Sequence, residues 1–273
     1  MTKGPIGIFD SGYGGLTILK EMEALMPQYD FLYLGDNARA PYGTRSFETV
    51  YQYTLECVKW FFDQGCSLVV LACNTASAKA LRNIQQHDLP FIAKDKRVLG
   101  VIRPTTEIIG TITKSKSIGV MATSGTVASD SYRIEIQKFN PDYKVFQQAC
   151  PLLVPLIENN EHDTPGADYF VKKYIDALMN QSPEIDTVLL GCTHYPLLEK
   201  KIRQYLSEQI NIVSQGPIVA KSLQSYLSRH PEMEEKCLKN SHIQFYTTDS
   251  ADDFNMKASV FYGKEVNAVH VSL

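Results

Sequence analysis

Short runs of consecutive apolar residues alternate along the chain with longer stretches of helical periodicity. In the first half, the pattern predicts strands at 6–9, 31–34 and 67–72 and helices at 16–26, 47–64 and 76–86. Uninterrupted apolar strands are typical of a parallel sheet that is covered on both faces. The alternation therefore predicts an α/β fold with helices packed on a largely parallel sheet.

The second half of the chain repeats this pattern. It predicts strands at 117–121 and 187–190 and helices at 128–139 and 197–209. The segments that begin at Ile6 and Ile118 are similar, as are those around Cys73 and Cys192, with offsets of 112 and 119 residues. We therefore predict two similar α/β domains, residues 1–98 plus 212–273 and residues 99–211, with a linker around 88–97.

Composition narrows the class of protein. The chain has 273 residues, of which 44% are apolar and 21% charged, enough to bury a full core. A net charge of −3 argues against a strongly basic nucleic-acid binder. Apolar runs are too short for a membrane span, and the N-terminus has no signal-peptide core. We expect a soluble cytoplasmic protein with no nucleic acid or membrane partner.

Six cysteines raise the question of which thiols are reactive. No C-x-x-C occurs, which argues against a zinc ribbon or a thioredoxin-type dithiol, and we expect reduced thiols. Four of them fit packing roles. These are Cys57, Cys66, Cys150 and Cys237.

The other two, Cys73 and Cys192, follow predicted strands and precede predicted helices. A helix N-terminus is expected to lower the pKa of such a thiol. Asn74 and Thr75 can cap the helix after Cys73, where backbone N–H groups can hold a carboxylate. His194 follows Cys192 by two residues and can stabilise a thiolate, relay a proton or act as a cap.

Two matched thiols allow several chemistries. A single nucleophilic cysteine would leave the second one unexplained, and the spacing does not support a redox disulfide. Two-base proton transfer at a stereocentre uses both thiols, because one group removes a proton from one face and the other delivers a proton to the opposite face.

Three further motifs suit an amino-acid pocket. Asp10, at the end of the first strand, can bind an ammonium group, assist a base or cap a helix. The loop 36–43 can offer backbone N–H groups to an anion, and is otherwise a turn. The segment 123–126 can bind a carboxylate or cap a helix. Nucleotide binding is poorly supported, because Gly12-Tyr13-Gly14-Gly15 is not a G-x-G-x-x-G motif.

Four motifs together resemble the glutamate racemase family, within the cofactor-independent aspartate/glutamate racemase superfamily. They are Gly7-Ile8-Phe9-Asp10-Ser11-Gly12-Tyr13-Gly14-Gly15-Leu16-Thr17, Gly35-Asp36 through Pro41-Tyr42-Gly43, Ala72-Cys73-Asn74-Thr75-Ala76, and Gly191-Cys192-Thr193-His194-Tyr195-Pro196-Leu197. They cover both halves of the chain. The resemblance implies two similar α/β domains, related by a pseudo-two-fold axis, with the active site in the cleft between them.

The resemblance also implies roles for individual residues. Cys73 and Cys192 are the acid/base thiols, acting on D-glutamate and L-glutamate respectively, and Asp10 and His194 assist them. The implied substrate-binding residues are Asp10, Ser11, Tyr42, Gly43, Asn74, Thr75, Thr126, Thr193 and His194. Asp36 lies in a matching motif, and Glu158 matches a carboxylate that the family places near the pocket.

The resemblance implies glutamate as substrate, no cofactor or metal, a homodimer, and a bacterial cytoplasm in which D-glutamate feeds peptidoglycan synthesis. One departure is the run Gly100-Val101-Ile102-Arg103-Pro104-Thr105, in which the family has glycine after the proline. Three alternatives remain open. They are an aspartate racemase-like enzyme, a cysteine hydrolase or lyase with one essential thiol, and an amino-acid sensor without turnover.

Overall fold

The computed structural model describes residues 3–273. Ten strands are present in this range. They are β1 (Ile6–Asp10), β2 (Phe31–Gly35), β3 (Leu68–Leu71), β4 (Arg97–Gly100), β5 (Ser117–Ala122), β6 (Lys144–Ala149), β7 (Thr187–Gly191), β8 (Asn211–Val213), β9 (Ile243–Thr247) and β10 (Ala268–His270).

Fourteen α-helices accompany them in the described range. They are α1 (Leu16–Leu25), α2 (Phe47–Asp63), α3 (Asn74–Lys79), α4 (Leu81–Asn83), α5 (Leu89–Ile92), α6 (Ile102–Ile108), α7 (Ser124–Ala128), α8 (Ser131–Phe139), α9 (Leu153–Glu158), α10 (Pro165–Met179), α11 (Glu199–Tyr205), α12 (Gly216–Arg229), α13 (Pro231–Glu234) and α14 (Ala251–Tyr262). Short 3₁₀ turns lie at Asn37–Arg39, Tyr42–Thr44, Ile109–Thr111 and Tyr195–Leu198, and a π-helical turn at Ile84–Asp88.

The strands form two separate parallel sheets, which confirms the predicted fold class. The first has six strands in the order β10-β9-β2-β1-β3-β4, and the second has four in the order β6-β5-β7-β8. The central strands β1, β2, β3, β5 and β7 are buried along their whole length. Helices on both faces supply this burial, as continuous apolar strands require.

The chain passes between the two sheets twice. It leaves the first sheet after β4, at Val101, and returns after β8 through Ser214 and Gln215 into α12. The prediction of a linker around 88–97 is therefore wrong, because this segment does not connect the two sheets. It forms α5 and then enters β4, where Arg97 pairs with Leu68.

Sheet membership bears on the predicted domains. Strands β9 and β10 return to the first sheet, whereas β8 pairs with β7 in the second. The boundaries at 98/99 and 211/212, which fall inside β4 and β8, stay a prediction.

Three predicted helices differ in detail. The helix predicted at 197–209 is α11, which begins at Glu199 after a 3₁₀ turn and ends at Tyr205. The predicted helix 76–86 begins earlier, at Asn74, and continues as α4 and a π-helical turn. The helix predicted at 128–139 begins later, as α8 at Ser131, because Asp130 adopts a left-handed conformation with φ of 55° and separates it from the short helix α7.

Within residues 3–273, no helix is both long and apolar enough to cross a bilayer.

Candidate active site

The predicted site residues collect where strands of both sheets end. Asp10 closes β1, Cys73 follows β3 by two residues, and Cys192 comes directly after β7. Parallel strands present their carboxyl ends along one edge of a sheet, which is where open α/β sheets bind ligands. The two sheets thus bring side chains together that lie more than a hundred residues apart in the chain.

Cys73 caps the N-terminus of α3 and is buried. Its Sγ lies 3.5 Å from the Ser11 hydroxyl and accepts a hydrogen bond from the Ala76 N–H at 3.5 Å. Burial, reinforced by the charge of Asp10, raises the pKa of the Cys73 thiol to about 12. The Ala76 N–H at the helix N-terminus lowers this pKa as expected, but desolvation outweighs it, so the expected net shift towards the thiolate is wrong.

Cys192 begins a relay of three side chains. Its Sγ lies 3.9 Å from Nδ1 of His194, and Nε2 of His194 lies 2.9 Å from Oε1 of Glu158. Burial alone would lower the pKa of His194, but hydrogen bonds to Cys192 and Glu158 and their charges raise it to about 10. The imidazole is therefore protonated at neutral pH. The structure places Glu158 beside the predicted site, at the end of α9.

Asp10 is completely buried next to both cysteine loops. Its Oδ2 accepts the Gly12 N–H at 2.9 Å, and its Oδ1 accepts the Thr193 hydroxyl at 3.4 Å. Desolvation raises the pKa of this carboxyl, although the nearby His194 opposes the shift. Asp10 thus caps the loop after β1 and also joins that loop to the second sheet.

The loop 36–43 is held by the buried carboxylate of Asp36. It accepts hydrogen bonds from the Tyr42 hydroxyl, from Arg39 Nε at 2.7 Å and from the Thr248 hydroxyl at 2.9 Å. The side chain of Tyr42 therefore points into this cluster. Because this hydroxyl is bonded to Asp36, Tyr42 could contact a substrate only through its backbone, next to Gly43.

Three buried hydroxyls lie between the two sheets. Thr75 Oγ1 is 2.9 Å from Thr123 Oγ1 and 3.4 Å from Thr126 Oγ1. Gly43 is packed on this group, since a Cβ there would lie 2.9 Å from Cβ of Thr123. Thr123 caps α7, which is one of the two roles predicted for the segment 123–126, whereas the resemblance named only Thr75 and Thr126 of this group as substrate-binding residues.

Asn74 is buried, but its side chain is directed into the protein. Its Nδ2 donates to Oε1 of Gln215 at 2.7 Å, and its Oδ1 accepts from the Tyr132 hydroxyl. Neither Gln215 nor Tyr132 was predicted to belong to the site, because no local pattern marks a residue whose partners lie 58 to 141 positions away.

The loop after β1 is in close contact with the loop after β7. A Cβ on Gly14 would lie 2.2 Å from Thr193 Oγ1 and 2.4 Å from His194 Nδ1, so this position has no room for a side chain. Thr17 strengthens the contact by donating its hydroxyl to the Thr193 carbonyl at 3.0 Å. The two thiols are near enough for the charge of Cys192 to raise the pKa of Cys73.

Other features lie apart from this cluster. A cavity of about 840 Å³ is lined by residues of α3, α4, α6, α8 and α12, and none of the predicted site residues lines it. Within residues 3–273, no group of three or more His, Cys, Asp or Glu side chains is arranged to hold a metal ion. All six cysteines are free and buried.

Comparisons with known proteins agree with this architecture. The family model for Asp/Glu/hydantoin racemases matches residues 15–223. A glutamate racemase of Ruegeria sp. is 40% identical, with 96% of this chain and 97% of that protein covered.

Two crystal structures extend the comparison. A glutamate racemase isoform from Bacillus anthracis superposes with a TM-score of 0.90 at 34% identity, covering 100% of this chain and 99% of that one. A Francisella tularensis glutamate racemase in complex with D-glutamate gives 0.88 at 32% identity, covering 100% and 98%. The chain belongs to the Asp/Glu/hydantoin racemase family and is an enzyme of the isomerase class.

Proposed function

We propose that this protein interconverts L-glutamate and D-glutamate by two-base proton transfer between Cys73 and Cys192. One observation carries the proposal. Each sheet contributes one buried thiol beyond a strand end, and each thiol has its own ionisable neighbours, Asp10 for Cys73 and His194 with Glu158 for Cys192. An inversion needs such groups on opposite faces of the α-carbon.

Conversion of L-glutamate begins at Cys192. Its thiolate, beside the protonated His194, takes the α-proton and leaves a carbanion-like species. Cys73, which the raised pKa keeps as a thiol, delivers its proton to the opposite face. The step leaves a Cys192 thiol and a Cys73 thiolate, and proton exchange with solvent resets the pair.

The reverse reaction exchanges the two roles. Cys73 removes the α-proton of D-glutamate, and Cys192 returns a proton to the other face. Because the unliganded site favours a Cys73 thiol, forming the Cys73 thiolate requires a change in its surroundings. The buried Asp10 carboxylate, whose own pKa is raised, can accept that proton.

Substrate binding falls to the polar groups around the thiols. Hydroxyl and backbone donors suit the two carboxylates of glutamate, and fixed donors stabilise the charge that develops on the α-carboxylate in the transition state. Tyr42, Gly43 and Asn74 are assigned through their backbone, because the side chains of Tyr42 and Asn74 are bonded inside the protein. The other residues that we assign are Ser11, Thr75, Thr126 and Thr193, with Asp10 and His194. Asp36 holds the loop rather than the substrate.

The relatives named above support glutamate as the substrate. The resemblance further leads us to propose that the enzyme is a cytoplasmic homodimer that supplies D-glutamate for peptidoglycan. Growth of a D-glutamate-requiring bacterium that expresses this chain tests the supply role. Sedimentation equilibrium of the purified protein tests the dimer.

The central experiment follows both optical activity and α-proton exchange of L-glutamate in deuterated water without added cofactor. Wild type is expected to form D-glutamate that carries deuterium at the α-carbon. Cys73→Ala and Cys192→Ala are each expected to lose racemisation by at least 100-fold, the lower range of a positioned acid or base. Cys66→Ala, which removes a buried thiol away from the cluster, is the matched control and should keep activity.

Other results point to the alternatives. Exchange with aspartate instead of glutamate changes the substrate but keeps the mechanism. A covalent adduct with a requirement for only one cysteine indicates a hydrolase or lyase. Glutamate binding without any exchange indicates a sensor and overturns the proposal.

A further inference from the structure

A buried amide network joins the two places where the chain passes between the sheets. Gln215, which lies in the return passage, directs Nε2 at the Val101 carbonyl of the outward passage at 3.1 Å. The same nitrogen lies 3.0 Å from Thr105 Oγ1 and 2.9 Å from the Tyr132 hydroxyl. Since Gln215 is only 3% exposed, these bonds are shielded from water.

The network also reaches the residue that follows Cys73. The Asn74 side chain donates to Gln215 Oε1 at 2.7 Å and accepts from the Tyr132 hydroxyl. Both functional ends of the Asn74 amide are therefore used inside the protein. This holds the start of α3, and with it Cys73, against the two passages.

Tyr132 extends the network to the residue that precedes Cys192. Its ring, on α8, is completely buried, and a Cβ on Gly191 would lie 3.0 Å from Tyr132 Cε2. Because its hydroxyl bonds Asn74 and its ring contacts Gly191, one rigid side chain spans the distance between the neighbours of the two thiols.

We propose that Tyr132 and Gln215 are positioning residues that set the separation of the Cys73 and Cys192 thiols across the substrate. The inference rests on the proposed two-thiol reaction. Two-base inversion requires both sulfur atoms within about 3–3.5 Å of the reacting atoms at once, and an error of about 1 Å can cost roughly 100-fold in rate. Neither Tyr132 nor Gln215 belongs to the proposed substrate-binding set. Gln215 therefore acts through Asn74, and Tyr132 acts through Asn74 and Gly191.

Misplacement of one thiol has a specific chemical consequence. Cys192 can still remove the α-proton of L-glutamate, but Cys73 delivers its proton to the other face more slowly. The Cys192 thiol then has time to exchange its proton for deuterium and return it to the face from which it came. Deuterium consequently enters recovered L-glutamate without inversion.

The test uses Tyr132→Phe, which removes one hydroxyl and keeps the ring, and Gln215→Met, which removes the amide and keeps an unbranched side chain. Both are incubated with L-glutamate in deuterated water and sampled early. The measured quantity is deuterium in recovered L-glutamate divided by D-glutamate formed. We expect this ratio to rise at least threefold in both variants while racemisation falls tenfold or more.

Tyr29→Phe is the matched control, because Tyr29 is also buried and its hydroxyl also donates to one side chain, Glu234, at 2.8 Å. It should leave the ratio unchanged. Thermal unfolding of each variant establishes that it is folded, and if Tyr132→Phe is not, Gln215→Met decides.

Four outcomes are informative. A raised ratio together with slower racemisation supports the inference. Slower racemisation with an unchanged ratio means a general structural role and overturns it, as does unchanged racemisation. Absence of exchange in wild type refutes the proposed function itself, and this result is distinct because it appears before any variant is compared.

Discussion

His194 is held between Cys192 and Glu158, with Nε2 2.9 Å from the Glu158 carboxylate and Nδ1 3.9 Å from the Cys192 sulfur. The imidazole can therefore keep its proton although it is only 4% exposed. Cys192 thus has an imidazole as its ionisable neighbour, whereas Cys73 has the buried carboxylate of Asp10. The proton-transfer steps at the two thiols should therefore respond differently to pH.

Replacing Glu158 with Gln should lower the pKa of His194, because a negative partner is lost. In wild type, the rate with L-glutamate should fall on the alkaline side as His194 loses its proton near its pKa of about 10. In Glu158→Gln this fall should begin at least one pH unit lower. The profile of kcat/KM against pH measures it, with the exposed Glu161→Gln as control. Coincident profiles for the two variants would contradict the relay.

The same histidine links folding stability to pH. A folded pKa of about 10, above the ordinary value of 6.5, means that folding favours the protonated form. The resulting stabilisation is fully present below pH 6.5 and is lost as the pH rises through about 10. The difference in unfolding free energy between wild type and Glu158→Gln should therefore shrink between pH 6.5 and 10, as measured by urea titration. A difference that stays constant would exclude this linkage.

Gly14→Ala should separate the two loops that carry the site. The new Cβ would lie 2.2 Å from Thr193 Oγ1 and 2.4 Å from His194 Nδ1, so one loop must move. We expect a loss of about 1–3 kcal/mol in stability, as for other overpacked sites, and racemisation reduced at least 100-fold. Gly166→Ala is the control, because Gly166 is exposed in α10 and an added Cβ there would lie 3.5 Å from its nearest neighbour, Thr164 Oγ1. Equal activity of the two variants would argue against the close contact.

Tyr42→Phe should affect the protein mainly through stability. The lost hydroxyl leaves the buried Asp36 with one hydrogen bond fewer, which costs about 1–3 kcal/mol. The KM for glutamate should change less than threefold, since the hydroxyl faces Asp36 rather than the thiols. Tyr51→Phe also removes a bond to a carboxylate, that of Asp88, but at a partly exposed position, and should cost under 1 kcal/mol. A KM raised tenfold in Tyr42→Phe would instead assign its hydroxyl to the substrate.

Thr75→Val should weaken substrate binding. The variant keeps the shape of the side chain but removes a hydroxyl from the buried cluster with Thr123 and Thr126. A hydrogen bond to a charged group is worth about 1.5–3 kcal/mol, so KM should rise about tenfold or more. Thr54→Val removes a hydroxyl that bonds only the Val50 carbonyl within α2, and should leave KM unchanged. A rise in KM in both variants would mean that general loosening is the cause.

Local pattern predicted much of the fold. The apolar runs at β1, β2, β3, β5 and β7 are all strands, because four to six consecutive apolar residues are typical of a strand in a covered parallel sheet. The later start of the predicted helix 128–139, at Ser131, was missed because it depends on the left-handed Asp130, whose side chain is held by Gln147 of the neighbouring strand. The assignment of 88–97 as a linker was wrong because Pro90 and the charged residues suggested a break that the pairing of β4 with β3 overrides.

By itself, the sequence determined the α/β class, the two equivalent cysteines and the motifs around them, because each of these depends on residues close together in the chain. Only the tertiary structure decided the environment of those residues. Burial raises the pKa of Cys73 against the expectation from its helix, Tyr42 turns towards Asp36, and Gln215 meets Asn74 across 141 positions. Desolvation and long-range hydrogen bonds arise only when the two sheets pack together, so no local pattern contains them.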